Sequence, residues 1–312
     1  MLVALAGGVG AARLLAGLVR VVDPGSVTAI VNTGDDMALH GLHISPDIDT
    51  VVYTLAGMEN PETGWGVVGE TWNAMAELDA IGGETWFRLG DRDLATHLYR
   101  TQRLADGASL SEATAEIAGA RGVGVQVVPM SDDPVRTRIT LAGSPARGRE
   151  VAFQEYFVRL GHSVPVSAVR FTGADRARPA PGVLDAIAGA ELVIACPSNP
   201  VVSLGPVLAV PGVREALEAR RTRVVAVSPI VAGAALKGPA ARLLAELGHE
   251  ASAAGVARLY AGWAGTFVLD EQDRDLSAQV AEAGLRPVVA PTIMTDRERA
   301  GALAQAVLDA AG

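Results

Sequence analysis

The chain has 312 residues, is 49% hydrophobic with only 4% aromatics, and carries a formal charge of −9. That balance excludes a general nucleic-acid binder, although a local basic pocket for a phosphate stays open. A single cysteine, Cys196, excludes an intrachain disulfide framework and a multi-cysteine zinc site. No uninterrupted apolar stretch approaches the ~18–20 residues of a membrane-spanning helix. Residues 1–6 enter a strand without the charged start of a signal peptide, so a cytoplasmic protein is expected.

The first apolar run, Leu2–Ala6, ends in Gly7-Gly8-Val9-Gly10-Ala11-Ala12-Arg13, and Leu14, Leu15, Leu18 and Val19 follow at helical spacing. This predicts strand, glycine turn and helix, the opening unit of a doubly wound sheet. Glycines let a backbone approach a phosphate, and the free amides of a helix start favour negative charge. The pattern is only partly that of a dinucleotide binder, because Arg13 stands where a third glycine belongs. Asn32 and Thr33 likewise replace the ribose-binding acid after the second strand, Val27–Val31. A tight strand-to-helix turn with no ligand is the plainer alternative.

Residues 32–49 hold four carboxylates (Asp35, Asp36, Asp47, Asp49) and two histidines (His40, His43) in eighteen positions. Carboxylates this close repel one another unless a positive charge is shared, and a hard divalent cation suits such oxygen ligands. A solvated turn with helix-capping aspartates is the competing reading. Helix is expected over 49–57. Residues 59–124 then read as a mainly helical insertion over the mouth of the sheet, holding Trp65, Trp72 and Trp86. These aromatics form either a small core or the wall of a flat, ring-shaped pocket. Within the insertion, Arg88 and Arg92 flank Gly90-Asp91 and either pair with the neighbouring aspartates or face an anion. Asp93 is placed to cap a helix beginning near Leu94.

Strands return at 125–129, and 137–141 and 151–153 predict a hairpin around Gly143-Ser144-Pro145. The aromatic and charged stretch 153–159 edges a binding site or a sheet, and 174–181 is loop. Two apolar runs, 190–195 and 224–227, lead into Cys196-Pro197-Ser198-Asn199-Pro200 and Ser228-Pro229-Ile230-Val231-Ala232-Gly233. Loops of this kind at strand ends form nucleotide clefts, with hydroxyls, amides and Asn199 as donors. The remaining segments, 240–248, 259–261, 266–269, 288–290 and 296–311, complete the alternation. The expected fold is therefore α/β and Rossmann-like, a mostly parallel sheet with helices on both faces, in one domain over 1–312.

Six motifs in series carry a resemblance. They are Gly7-Gly8-Val9-Gly10, Asn32-Thr33-Gly34-Asp35-Asp36, the run from His40 to Thr50, Leu89-Gly90-Asp91-Arg92-Asp93, Pro197-Ser198-Asn199-Pro200, and Ser228 to Gly233. In this order and spacing the chain resembles the 2-phospho-L-lactate transferase family of coenzyme F420 biosynthesis over essentially its whole length. One departure is Ser45, where many relatives carry cysteine. The resemblance implies transfer of a phospholactyl or phosphoenolpyruvyl group from a guanosine diphosphate conjugate to the ribityl hydroxyl of the deazaflavin Fo, with loss of GMP. It further implies magnesium (Mg2+), a homodimer and small-molecule partners only.

Asp35 and Asp49 are the expected catalytic residues. Phosphoryl-type transfer calls for a metal bound by Asp35, with Asp36 or Asp49 nearby, as Lewis acid and template. The following positions are carried over from the family. Asp49 and Arg88 contact Fo. Gly8, Val9, Gly10, Ser198, Asn199, Ser228 and Gly233 hold the diphosphate and nucleotide. His40 and His43 are expected to be structural or to stand behind the ligands. A related family with the same glycine start binds a UDP-sugar and has a regulatory role; the tryptophan-rich insertion speaks against it, as Asn32 and Arg13 do against a nicotinamide enzyme.

Overall fold

A computed structural model describes residues 1–143, 147–236 and 238–311. Seven parallel strands form the central sheet, in the order Arg286–Val289, Thr266–Leu269, Val224–Val227, Leu192–Ala195, Leu2–Ala6, Val27–Val31, Gln126–Pro129. The five inner strands read as nearly unbroken apolar runs because both faces are covered. Val3 and Leu5 pack into the core on one face, and Ala4 and Ala6 into the core on the other. From Leu2–Ala6 the chain winds first toward Gln126–Pro129. It then crosses back to Leu192–Ala195 and winds the opposite way. The crevice between these two central strands is the switch point at which such sheets hold ligands.

The glycine turn launches the helix Gly8–Leu18, whose Leu14, Leu15 and Leu18 are buried. This helix packs tightly on the last one, Arg297–Asp309, where a β-carbon added to Gly17 would lie 2.2 Å from the Ala300 carbonyl oxygen. Gly17→Ala is therefore expected to destabilise the protein by about 1–3 kcal/mol, read as a lower urea midpoint with an unchanged slope.

Residues 59–124 hold three helices, Asn73–Ala80, Asp91–Ala105 and Leu110–Ala120. Two expected boundaries move. Pro46 starts the helix Pro46–Leu55 from a first-turn position that needs no amide donor, so Asp47 and Asp49 stand in its first turn. Gly90 rather than Asp93 precedes the helix Asp91–Ala105, which puts Asp93 inside that helix. Before it, Met37–Leu39 and Leu42–Ile44 form a short hairpin. His40 and Gly41 at its tip both have positive φ (53° and 77°), as this type of two-residue turn requires, so His40 is a turn residue.

The expected hairpin pairs Arg136–Leu141 with Glu150–Ala152; Ser144 and Pro145 of its turn lie outside the described residues. A third strand, Val166–Thr172, completes this antiparallel sheet and was not among the expected elements. Among the described residues no helix is long and apolar enough to cross a membrane.

Candidate active site

All strands of the central sheet point the same way, so the loops leaving their carboxyl ends meet at one edge. Residues 7–10, 35, 197–199, 228, 229, 231 and 292–295 come together there around a cleft of about 650 Å³, covered by the insertion and by Phe153, Gln154, Phe157 and Val158. Its size is that of a site for a cofactor-sized ligand.

One end of the cleft is the glycine turn. Gly7 N–H donates to Ser198 Oγ (3.2 Å) and Gly8 N–H to Asp47 Oδ1 (2.7 Å). Gly10 is required by contact, because a β-carbon there would sit 2.3 Å from the Pro197 carbonyl oxygen. The amides of Val9 and Gly10 belong to the first turn of the helix and have no intrahelical acceptor, so they remain as donors on the cleft wall. Arg13, one turn further on, lines the same wall and donates to the Met294 carbonyl at 3.2 Å.

The floor beside this turn is a carboxylate pair. Asn32 Nδ2 donates to Asp47 Oδ2 (2.8 Å) and Asp35 Oδ1 (3.3 Å), while Gln154 Nε2 donates to Asp35 Oδ2 (2.8 Å). Asp35 and Asp47 are only 6% and 7% exposed. Burial first, then the charges of Asp47 and Asp36, raise the pKa of Asp35 well above the usual carboxylate range. Burial likewise pushes Asp47 up to about 6, against the bonds from Asn32 and Gly8. Of the expected pair Asp35 and Asp36, only Asp35 is on the cleft lining, where Asp47 stands beside it. Asp36 is off the cleft lining, and its Oδ2 meets His43 Nε2 (3.0 Å) and accepts from the Ser45 hydroxyl (2.8 Å). His43 thus stands behind Asp36.

Opposite lies a buried charged network. Arg100 is fully buried and grips both oxygens of Asp49, with Nη1 3.1 Å from Oδ2 and Nη2 on Oδ1. His97 lies between two acids, Nδ1 3.6 Å from Asp49 Oδ2 and Nε2 3.2 Å from Asp93 Oδ2. Tyr53 donates its hydroxyl to Asp93 Oδ1 at 2.7 Å. Burial works to raise the pKa of Asp93, but the bond and charge of His97 and the bond from Tyr53 hold it below the usual value.

Between these two ends stand Trp65, Phe87, Phe153 and Phe157, with Arg88 also on the lining. Phe153 and Phe157 stack at 5.6 Å, and Arg88 lies 4.3 Å from the centre of the Trp72 ring. The two readings of the tryptophans divide accordingly. Trp72 and Trp86 pack with Met75 and Leu89 in a small core, whereas Trp65, 47% exposed, faces the cleft. Among the described residues neither Arg88 nor Arg92 pairs with Asp91 or Asp93. Asp91 instead accepts from Thr71, Asn73 and Ala74, and Arg92 donates to the Val68 carbonyl.

Gly8, Val9, Gly10, Asp35, Asp49, Arg88, Ser198, Asn199 and Ser228 all line the cleft, but the polar side chains of the two serine loops are occupied locally. Asn199 Oδ1 accepts from the Val201 and Val202 amides, and Ser228 Oγ bonds both polar backbone groups of Ile230. Gly233 does not reach the cleft. With Ala232 it makes the positive-φ turn between Ile230–Val231 and Ala234–Ala235. Residues missed from the sequence are Asn32, Gln154, the segment 292–295, and the trio Asp93, His97 and Arg100, of which Arg100 stands behind the lining on Asp49. The i, i+4, i+7 spacing of that trio on one helix was the available signal.

The protein is thus a doubly wound α/β one whose cleft brings together helix-start amides, a buried carboxylate pair and an aromatic wall. The family model 2-phospho-L-lactate transferase CofD matches residues 2–307. The chain belongs to this family. Phosphoenolpyruvate transferases of Kitasatospora aureofaciens, Streptomyces griseus and Mycolicibacterium smegmatis are 47%, 45% and 41% identical to it. They are covered over 96%, 98% and 98% of their length, and cover 98%, 99% and 99% of this chain. A UPF0052-family protein of Bacillus halodurans shares the fold at 16% identity, with a TM-score of 0.63 and 98% of each chain covered.

Proposed function

We propose that the protein moves a phosphoenolpyruvyl group, or its phospholactyl counterpart, from a guanosine diphosphate conjugate to the terminal ribityl hydroxyl of the deazaflavin Fo. The hydroxyl oxygen bonds to the phosphorus bearing the three-carbon acid, the phosphoanhydride bond to GMP breaks, and the hydroxyl proton leaves. The enolpyruvyl donor is favoured by the names of the similar transferases. The observation that carries the reading is the pairing of both ligand environments in one cleft. Phosphoryl-type transfer asks a protein chiefly to position two ends and neutralise charge.

In this reading the Val9 and Gly10 amides and Arg13 hold the diphosphate, and the loops at 197–199 and 228–231 shape the nucleotide end through their backbone. Trp65, Phe87, Phe153, Phe157 and Arg88 hold the deazaflavin, and Asp49 orients its hydroxyl. Asp35 and Asp47 fit a magnesium ion, since two buried oxygen-donor groups with raised pKa lack a counter-charge. Magnesium bound there supplies Lewis-acid stabilisation of the diphosphate. The protein acts as a cytoplasmic homodimer on small molecules alone. A UDP-sugar-binding regulator is the second reading, raised by the glycine start Gly7-Gly8-Val9-Gly10 that the related family shares.

Thermal shifts decide between them. A GDP conjugate at a hundred times its dissociation constant stabilises by about 2.7 kcal/mol; a shift with UDP-sugar and none with GDP would favour the regulator.

The metal-free protein has a further signature. Because the pKa of Asp47 is raised on folding, its contribution to stability is full below 3.8 and is lost as the pH rises through about 6. The loss amounts to about 3 kcal/mol at most. Magnesium should offset it, so the rise in Tm on adding magnesium is expected to be larger at neutral pH than well below pH 6, by scanning calorimetry.

A further inference from the structure

We infer that Asp270 and Asp273 are positioning residues that bracket the nucleotide end of the cleft. Asp273 holds the hairpin that follows Ser228, and Asp270 holds the segment 292–295; the inference rests on the function proposed above. Asp270 caps the short helix Glu271–Leu276, and Asp273 lies within it, just after the strand Thr266–Leu269. In the sheet this strand lies between Val224–Val227 and Arg286–Val289. Its loop therefore leaves the sheet between the two loops that form this end of the cleft. Both carboxylates are buried, and neither lines the cleft itself.

Asp273 serves one side. Both of its oxygens lie 3.1 Å from the Ala232 amide nitrogen, which donates to them. Ala232 and Gly233 make the two-residue turn between Ile230–Val231 and Ala234–Ala235, with φ of 50° and 75°. Such a turn needs positive φ at both places. Glycine takes that conformation freely, whereas the β-carbon of an alanine crowds the following carbonyl oxygen. The bond to Asp273 offsets this cost at the residue that bears it. Val231 before the turn and Leu236 after it both line the cleft, so their placement follows from the turn.

Asp270 serves the other side. Its Oδ2 accepts from the Thr292 amide (2.8 Å) and hydroxyl (2.9 Å), and its Oδ1 from the Gln272 amide (3.0 Å). Two residues beyond Thr292, the Met294 carbonyl accepts from Arg13, which the proposed function gives to the diphosphate. Asp270 thus acts on the diphosphate wall through Thr292, Met294 and Arg13. Trp65, Phe87 and Phe153 of the aromatic wall come from other elements. A change at either aspartate is therefore felt by the guanosine conjugate rather than by the deazaflavin.

The test is titration calorimetry of the whole protein with magnesium, with GDP and Fo as separate probes. Asp273→Ala should weaken GDP about tenfold, the hairpin keeping its binding form about a tenth of the time, with Fo held within about twofold. Asp273→Asn keeps an acceptor in the same place and should bind GDP within about threefold of wild type. Adding Ala232→Gly to Asp273→Ala should restore most of the GDP affinity, because glycine holds the positive φ unaided. Asp270→Ala should also weaken GDP, and combined with Arg13→Gln it should cost less than the two losses multiplied. Equal weakening of GDP and Fo by Asp273→Ala, or no rescue by Ala232→Gly, is the mark of a merely structural role and overturns the inference. Hydrogen exchange of wild type needs no folded variant. GDP should slow exchange in 228–236, 270–273 and 292–295 together, and slowing that leaves 270–273 unchanged overturns the inference. If wild type binds no GDP, the proposed function falls instead, and urea midpoints decide the bracket. Ala232→Gly should then raise the midpoint of Asp273→Ala more than that of wild type, and an equal change in both overturns it.

Discussion

Arg100→Met is expected to lower the unfolding free energy by about 3–5 kcal/mol, the cost of leaving a buried partner charge uncompensated. The guanidinium is fully buried, lies on both oxygens of Asp49, and also approaches the His43 carbonyl at 3.5 Å. Without it, His97 is the one basic side chain among the described residues that the ion pairs place beside both Asp49 and Asp93. Methionine fills much of the vacated volume, so lost charge rather than lost packing dominates. Adding Asp49→Leu to Arg100→Met should return part of the stability, because the pair is then removed as a unit. Urea midpoints of the two single variants and the double variant measure this. Equal losses that add in the double variant would mean that the pair carries no coupling.

Asp35→Asn is expected to separate stability from activity. Asp35 is buried beside Asp47 with its pKa raised, so ionising it at neutral pH works against folding. A neutral amide of the same shape relieves that repulsion, and Gln154 can reverse its own amide to meet it. The metal-free variant should therefore melt no lower than wild type at neutral pH. Transfer should fall by about 10³-fold, corresponding to several kcal/mol of lost charge stabilisation at the diphosphate. Calorimetry and initial rates on the same preparation check both halves.

The fold was legible because its strands are buried on both faces and so appear as short apolar runs between glycine, proline and aspartate loops. Val166–Thr172 escaped because it lies at the side of a small sheet, with Ser167, Ala168, Arg170 and Thr172 exposed, and reads as loop. The carboxylate-rich stretch was found, but not its internal pairing. Asp35 and Asp36 are adjacent in sequence yet diverge, while Asp47 is turned back onto Gly8 by the proline-started helix.

Arg100 was invisible for a different reason. An arginine on a helix with many charges reads as solvated, and only packing against Asp49, 51 residues earlier, buries it. Ser228 and Gly233 show the converse limit. Their residue types suit a nucleotide loop, but the same hydroxyl and the same positive φ also serve to shape the loop itself.

The most direct test of the proposed transfer is mass spectrometry of one reaction. It contains the protein, magnesium, Fo and the guanosine conjugates of phosphoenolpyruvate and phospholactate in competition. A phosphodiester-linked deazaflavin formed with an equal amount of GMP is the expected result, and its mass, which differs by two hydrogens between the donors, names the acid transferred. Fo recovered unchanged, with both donors intact and the protein folded, would contradict the transferase reading.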